Sequence, residues 1–231
     1  MSAAISAESI TKVYRSGRNA VRAIEDVSLR VSAGELVLLM GPSGSGKSTL
    51  LSVIGCILRP TSGRVLLNGR DVTALADRDL ARVRLREIGF VFQDASLFPS
   101  LNAAENVEMP LELLGIRGRE ARRRSAALLA GVGLAPKAAE YPRNLSGGEK
   151  QRVAIARSMA AGAGILLADE PTAALDLAAG RAVFGHLRRL ATEEGRAVVV
   201  VSHDHRMEDF ATRTVHLEDG RLLEQFVGGP A

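Results

Sequence analysis

Eight residues early in the chain, Gly41-Pro42-Ser43-Gly44-Ser45-Gly46-Lys47-Ser48, fit the pattern G-x-x-x-x-G-K-[ST] at every fixed position. Such a stretch constrains the fold because it does its chemistry only where a strand hands over to a helix. The preceding run, Glu35 to Met40, reads as a strand, and Ser48 to Leu58 is apolar at helical spacing, so the context is met. The glycines let successive backbone N–H groups turn inward and cradle phosphate oxygens, while the helix N-terminus adds partial positive charge. Lys47 can then reach β- and γ-phosphates and the Ser48 hydroxyl can hold Mg²⁺. Nucleotide binding follows from the loop alone.

The rest of the chain has to build an α/β unit around it. Its 231 residues suit one α/β domain, or one domain with an inserted subdomain. Hydrophobic residues at 46% and charged residues at 24% allow a packed core and exclude disordered, collagen-like and coiled-coil chains. Lys+Arg 30 against Asp+Glu 26 leaves a net charge of +4, which admits an anionic partner. Aromatic residues at 3%, without tryptophan, argue against a groove that stacks single-stranded bases, and no nucleic acid is expected. Cys56 is the only cysteine, which excludes an intramolecular disulfide or a cysteine-rich zinc site and points to a reducing compartment. Met1 to Ser9 lacks the basic start and apolar core of an export signal. The apolar runs Leu36 to Met40, Ile165 to Ala168 and Ala197 to Val201 are far shorter than the roughly 20 residues of a membrane-spanning helix. A membrane role therefore has to come through a partner.

Periodicity orders the remaining segments. Val27 to Val31 and Glu35 to Met40 are strand-like and separated by the turn composition Ser32-Ala33-Gly34, which predicts a hairpin. Val65 to Leu67 followed by Asn68-Gly69 predicts a second, because Asn-Gly supplies the positive φ angles of a type I′ turn. The helix after the phosphate loop is expected to stop at Arg59-Pro60. Ile88 to Phe92 reads as a buried strand, and residues 102–139 turn Ala-, Leu-, Glu- and Arg-rich, a helical insertion. Ile165 to Ala168 and Ala197 to Val201 return as the continuous apolar strands of a parallel sheet buried on both faces.

Two further motifs carry chemistry. Ile165 to Ala168 delivers Asp169 and Glu170 at its C-terminal end, where ligands of open α/β sheets collect. One carboxylate can bind Mg²⁺ while the other takes a proton from water attacking a γ-phosphate. Leu145-Ser146-Gly147-Gly148-Glu149 opens a helical run, Lys150 to Ala160, and makes a second anion site. One nucleotide does not need two cradles, so the second suits a nucleotide held by another copy of the chain, head to tail. His203 and His205 form an H-x-H pair without further clustered ligands, which does not make a transition-metal site. Cys56, in the apolar helix, reads as core packing, and Arg122-Arg123-Arg124 as a solvated helix face.

Together these stations resemble the ATP-binding-cassette ATPases over nearly the whole chain. The resemblance places Tyr14 in the loop that stacks on adenine, residues 41–48 with Thr49 in Walker A, and Gln93 in the Q-loop. It makes Ser146, Gly147 and Gly148 the heart of the signature, Asp169 Walker B and Glu170 the catalytic glutamate. Ala174-Leu175-Asp176 matches the D-loop and His203 the switch histidine. The implied fold is a P-loop α/β ATPase with a RecA-like core, an antiparallel β-subdomain and an inserted α-helical subdomain. Core and β-subdomain would take about 1–93 and 146–231, and the helical subdomain about 94–145, all in one domain. Catalytic work falls to Glu170, His203 and Gln93, with Mg²⁺ on Ser48, Gln93 and Asp169. Two departures stand out: Glu149 replaces the usual signature Gln, and Ala173-Ala174 removes a hydrogen-bonding side chain before Leu175-Asp176.

Ile88 to Gln93, Glu105-Asn106-Val107 and Ala168 to Thr172 are similar to the exporter ATPases of the MacB, LolD and DevA type. That resemblance implies ATP hydrolysis with Mg²⁺ by a head-to-tail homodimer. It also implies a separate transmembrane permease, often with a periplasmic adaptor protein, and a cytoplasmic seat on the inner face of the membrane. Export of a lipid, lipoprotein or hydrophobic small molecule is the expected task. Mechanotransmission without transport, or a non-transport ATPase acting on nucleic acid or ribosomes, are the alternatives.

Overall fold

The computed structural model describes residues 3–16 and 19–227. Met1 and Ser2, the start of the segment read for an export signal, lie outside the described residues. The chain opens with β1 (Ile5–Ser16), β2 (Asn19–Val31) and β3 (Leu36–Met40), followed by α1 (Lys47–Ile54), β4 (Ser62–Leu67) and β5 (Arg70–Asp71). Then come α2 (Asp77–Glu87), β6 (Ile88–Val91), α3 (Ala103–Leu113), α4 (Gly118–Gly131) and α5 (Gly147–Met159). It closes with β7 (Ile165–Asp169), α6 (Leu177–Thr192), β8 (Ala197–Val201), β9 (Arg213–Glu218) and β10 (Arg221–Val227).

Two sheets share the load. A six-stranded sheet runs β10-β9-β3-β8-β7-β6, and every pair from β9 to β6 is parallel. A four-stranded antiparallel sheet runs β2-β1-β4-β5. Alternate residues of the parallel strands feed two cores, as period-two geometry requires. Leu36, Leu38, Leu166 and Val200 face a core built with α5, α6 and the inserted α3 and α4. Val37, Leu39, Leu167 and Val199 face α1 and the antiparallel sheet. Burial on both faces explains why these strands are uninterrupted runs of Val, Leu and Ile.

The Asn68-Gly69 hairpin is present: Leu67 pairs with Arg70, and the two turn residues have φ 50 and 80. The other expected hairpin is not. β2 lies in the antiparallel sheet beside β1, whereas β3 is wholly buried between β8 and β9 in the parallel sheet. Gly34, at φ 87, turns the chain from one sheet to the other, and its N–H donates to Arg196 O at 3.0 Å. Turn composition reports a reversal of direction and carries no information about which sheet receives the next strand.

The helix after the phosphate loop also ends earlier than Arg59-Pro60. It stops at Ile54 in a Schellman arrangement: Cys56 N–H donates to Val53 O (3.1 Å) and Ile57 N–H to Ser52 O (2.9 Å). The residue with positive φ is Cys56, at 56, where glycine is the usual choice. The neighbouring glycine, Gly55, is needed for space, since a Cβ there would sit 3.0 Å from the Phe90 ring and 3.1 Å from Leu167. Burial pushes the Cys56 thiol up to about 11, so it stays protonated in the core.

Helix α5 presses against β6 with no room to spare: a Cβ on Gly89 would lie 2.5 Å from the backbone oxygen of Ser158. Gly89→Ala should therefore lower stability by about 1–3 kcal/mol, the usual cost of overpacking. The midpoint of urea unfolding checks this.

Candidate functional site

The parallel strand order brings four loops to one edge. Residues 41–46 follow β3, Ser202 and His203 follow β8, Asp169 ends β7 with Glu170 next, and Gln93 follows β6. All four leave the carboxyl ends of neighbouring strands, where open α/β sheets hold their ligands.

The phosphate loop is shaped by its close approach to backbone from two other strands. Gly41 has φ 146, and a Cβ there would overlap Leu217 O at 1.9 Å. Gly46 has φ 103, and a Cβ there would meet Ala23 O at 2.3 Å. Neither position tolerates a side chain. Pro42, Ser43 and Gly44 stand exposed on the loop, and Thr49, partly buried, continues α1. Ser45 is buried, and its hydroxyl has no partner in the protein. Lys47, only 6% exposed, donates from Nζ to Gly41 O (2.8 Å) and Pro42 O (2.7 Å). Its ammonium is thus curled over the mouth of the loop. Burial depresses its pKa, and the nearby charges of Glu170 and Asp169 oppose that shift.

Opposite the loop, Ser48 Oγ donates to Asp169 Oδ1 at 3.0 Å. Burial pushes the Asp169 carboxyl up; the Ser48 hydrogen bond and Lys47 pull it down, and Glu170 adds to the rise. A hydroxyl and a half-buried carboxylate that lacks sufficient positive charge are the hard oxygen donors Mg²⁺ prefers. The donor set fits the metal. Glu170 takes a left-handed backbone (φ 46), and its N–H is fixed to Val201 O at 3.0 Å. Its Oε2 lies 3.1 Å from His203 Nδ1. His205 instead contacts Glu208 at 2.6 Å, so the two histidines serve different carboxylates. Among the described residues no group of three His, Cys, Asp or Glu side chains could hold a metal ion.

A cleft of about 330 Å³ opens beside this edge, lined by Glu170, His203, Ser202, Asp176 and Thr172. Asp176 caps α6, its Oδ1 accepting from Ala179 N–H at 2.8 Å. Gln93 is exposed, and its backbone oxygen accepts from Gln151 Nε2 at 2.6 Å. Tyr14 stands 42% exposed on β1 with the Lys12 ammonium 5.4 Å from its ring centre.

The serine-glycine corner stands apart. Among the described residues no hydrogen bond or ion pair links Ser146, Gly147 or Gly148 to residues 41–49. Ser146 and Glu149 form a capping box: Glu149 N–H donates to Ser146 Oγ (3.2 Å), and Ser146 N–H to Glu149 Oε2 (2.8 Å). The Ser146 N–H holds the Glu149 carboxyl below its usual range, with Lys137 assisting. Glutamate at this position thus stabilises the helix start. Gly147 and Gly148 leave room for Leu175 and Ala179, which a Cβ would approach to 2.9 and 3.0 Å.

Sequence reasoning missed two residues that act on this edge. Gln151 and Arg157, both on α5, donate to backbone oxygens of residues 92–96. A guanidinium set among Val153, Ala154, Ile155, Ala156 and Met159 was the available signal, because a buried charge demands acceptors.

The ABC transporter family model matches residues 24–173. An uncharacterised ABC transporter ATP-binding protein of Thermotoga maritima is 47% identical over 213 residues, 92% of this chain and 91% of its own length. The macrolide export ATP-binding/permease protein MacB of Burkholderia pseudomallei is 44% identical over 93% of this chain, which spans only 33% of that longer protein. Among solved structures, the dimeric ATP-binding cassette MJ0796, bound to ADP and Pi after hydrolysis, superposes with a TM-score of 0.90. It is 41% identical and the match covers 96% of this chain and 98% of that one.

The raised Asp169 pKa has a stability consequence. For an acid whose folded pKa lies above its unfolded value, ionisation opposes folding, and the cost grows as pH rises past the ordinary carboxylate range. Asp169→Asn should raise the melting temperature of the nucleotide-free protein by a few degrees at pH 7 and by less at pH 4. Thermal melts at the two pH values check it.

Proposed function

The chain belongs to the ABC transporter family and is an ATP-hydrolysing member of it, and from this we propose that two copies, paired head to tail, drive a separate membrane permease. The observation that carries the catalytic part is the convergence at one sheet edge of the Ser48–Asp169 contact (3.0 Å) and the Glu170–His203 contact (3.1 Å), beside Lys47. In this reading residues 41–49 hold the phosphates of ATP, with backbone N–H groups and Lys47 on the oxygens and Tyr14 on adenine. Ser45, whose buried hydroxyl lacks a partner, supplies one more donor there. Ser48, Asp169 and Gln93 would hold Mg²⁺, which when bound neutralises charge between the β- and γ-phosphates.

Glu170 accepts a proton from the attacking water as the water oxygen bonds to the γ-phosphorus and the bond to the β-phosphate oxygen breaks. The products are ADP and inorganic phosphate, to which the proton passes. His203 orients Glu170 through the 3.1 Å contact and faces the γ-phosphate. Ser146, Gly147 and Gly148, which among the described residues make no hydrogen bond or ion pair to their own phosphate loop, close over the nucleotide of the partner, with Asp176 at the seam.

Residues 1–231 act as one ATPase domain in which about 94–145 form the helical insertion that meets the permease. Supporting this is an apolar groove of about 310 Å³ between α2 and α3, walled by Phe92, Phe98, Met109 and Leu113. Phe98 is 46% and Leu113 67% exposed. Among the described residues no helix is long and apolar enough to cross a membrane, which suits a motor held at the cytoplasmic face by its permease. Similarity to a macrolide export protein favours export of a hydrophobic molecule or lipid, with a periplasmic adaptor as a further partner.

Glu170→Gln should retain ATP binding, lose turnover by at least about a hundredfold, and accumulate as a dimer in Mg-ATP. Undiminished hydrolysis, measured as phosphate release, would refute the role of Glu170; a persistent monomer on sizing would refute the pair. Phe98→Asp, in the groove, should leave soluble ATPase activity unchanged yet abolish co-purification of the chain with a membrane permease from detergent-solubilised membranes.

A further inference from the structure

The loop that carries Gln93 is held to α5 by two side chains that none of the motifs includes. Gln151, 3% exposed, donates from Nε2 to Gln93 O (2.6 Å) and Phe92 O (3.1 Å). Arg157, 9% exposed, donates from Nη1 to Ser96 O (2.7 Å) and from Nη2 to Ala95 O (2.8 Å). The two residues that Arg157 holds, Ala95 and Ser96, take left-handed backbone, φ 63 and 44, a conformation that costs an L residue strain its surroundings must offset. The residue types are demanding. A fork of two guanidinium N–H groups fits two adjacent carbonyls, which an ammonium does not reproduce. Burial depresses the Arg157 pKa and Asp94 partly restores it, so the charge is kept in place by those acceptors.

The same helix begins at Ser146–Gly148, and its far end is locked to β6 where Ser158 O abuts Gly89. Helix α5 therefore joins the loop of Gln93 to the serine-glycine corner through a rigid rod. We infer that Gln151 and Arg157 are positioning residues for ATP hydrolysis, clamping the Gln93 loop to α5 so that loop and corner move as one body. The inference rests on the roles proposed above for Gln93 and the corner and assigns the part that joins them. Gln151 and Arg157 act through the backbone of residues 92–96, to whose oxygens both side chains donate.

The test uses the full chain and four readouts: melting temperature, kcat against KM, ATP affinity of the monomer, and Mg-ATP-driven dimerisation in a Glu170→Gln background. Gln151→Ala should lower kcat about tenfold, with KM and monomer ATP affinity changed less than about twofold. It should also raise the Mg-ATP concentration needed for dimerisation about tenfold. Arg157→Lys, which keeps the buried charge and reaches one carbonyl, should show the same pattern at smaller amplitude and serves if Gln151→Ala fails to fold. Because Gln151 acts through Gln93, Gln93→Ala with Gln151→Ala should lose no more kcat than the worse single variant. A merely structural role would lower the melting temperature while leaving kcat per folded molecule and the dimerisation midpoint unchanged, and that result overturns the clamp. Losses that multiply in the double variant overturn it as well. If Glu170→Gln alone stays monomeric, the proposed pair fails and the clamp is judged on kcat and the double variant. Full activity of Gln93→Ala refutes the role of that side chain, and the clamp is then judged on the dimerisation midpoint.

Discussion

Parallel pairing in strict register across β9, β3, β8 and β7 governs what the rest of the molecule can do. Leu36 opposite Val198 and Ile165 opposite Ala197 start the strands level, so their carboxyl ends arrive together and their loops cannot avoid one another. Every residue of β3 and β8 is buried, which makes a slip by one residue prohibitive: it would drive each side chain into the opposite core. The distances near 3 Å at this edge are thereby set by apolar packing several residues away. The polar groups at the edge need no strong attraction to one another to stay assembled.

That edge concentrates unfavourable features. A nearly buried ammonium, a carboxylate whose ionisation is opposed by burial, a left-handed glutamate and an unpartnered serine hydroxyl lie within two short stretches, 45–47 and 169–170. Each costs stability that the two hydrophobic cores supply. In the proposed role of this edge a phosphate and a cation would relieve two of them: the ammonium would gain oxygens in place of its own loop carbonyls, and the carboxylate a positive neighbour. Exchanging the Gly41 and Pro42 carbonyls for phosphate oxygens would then cost Lys47 little, since one set of acceptors replaces another.

Much of this was legible in the residues. The phosphate loop and the Asp169-Glu170 pair declare themselves because their chemistry is local: the groups sit within one turn or one strand end. The S-x-x-E spacing of Ser146 and Glu149 signals a capping box too, though only an anion site with an unusual glutamate was read from it. Partnerships across long sequence separations stayed hidden. The turn at Ser32-Ala33-Gly34 looks like a hairpin, yet β3 pairs with strands more than 150 residues downstream. The end of α1 was obscured because Cys56 takes the left-handed position while Gly55 is kept for clearance. Gln151 and Arg157 bind carbonyl oxygens 58 to 62 residues away, and a backbone acceptor leaves no trace in side-chain identity.

The capping box also bears on the order in which the proposed pair assembles. Ser146 N–H and one lone pair of its hydroxyl are already committed to Glu149, so the corner greets a foreign anion with a few main-chain amides and a single hydroxyl proton. Neutral donors of this kind grip weakly by themselves, and the glutamate beside them offsets the positive charge that Lys137 and Arg152 bring to this corner. In the proposed pair the lysine loop, with its formal charge, would load first, and the twin would recognise a filled pocket in preference to loose nucleotide. Free ATP in solution would then be a poor competitor for the seam, and pairing would report occupancy of the motor.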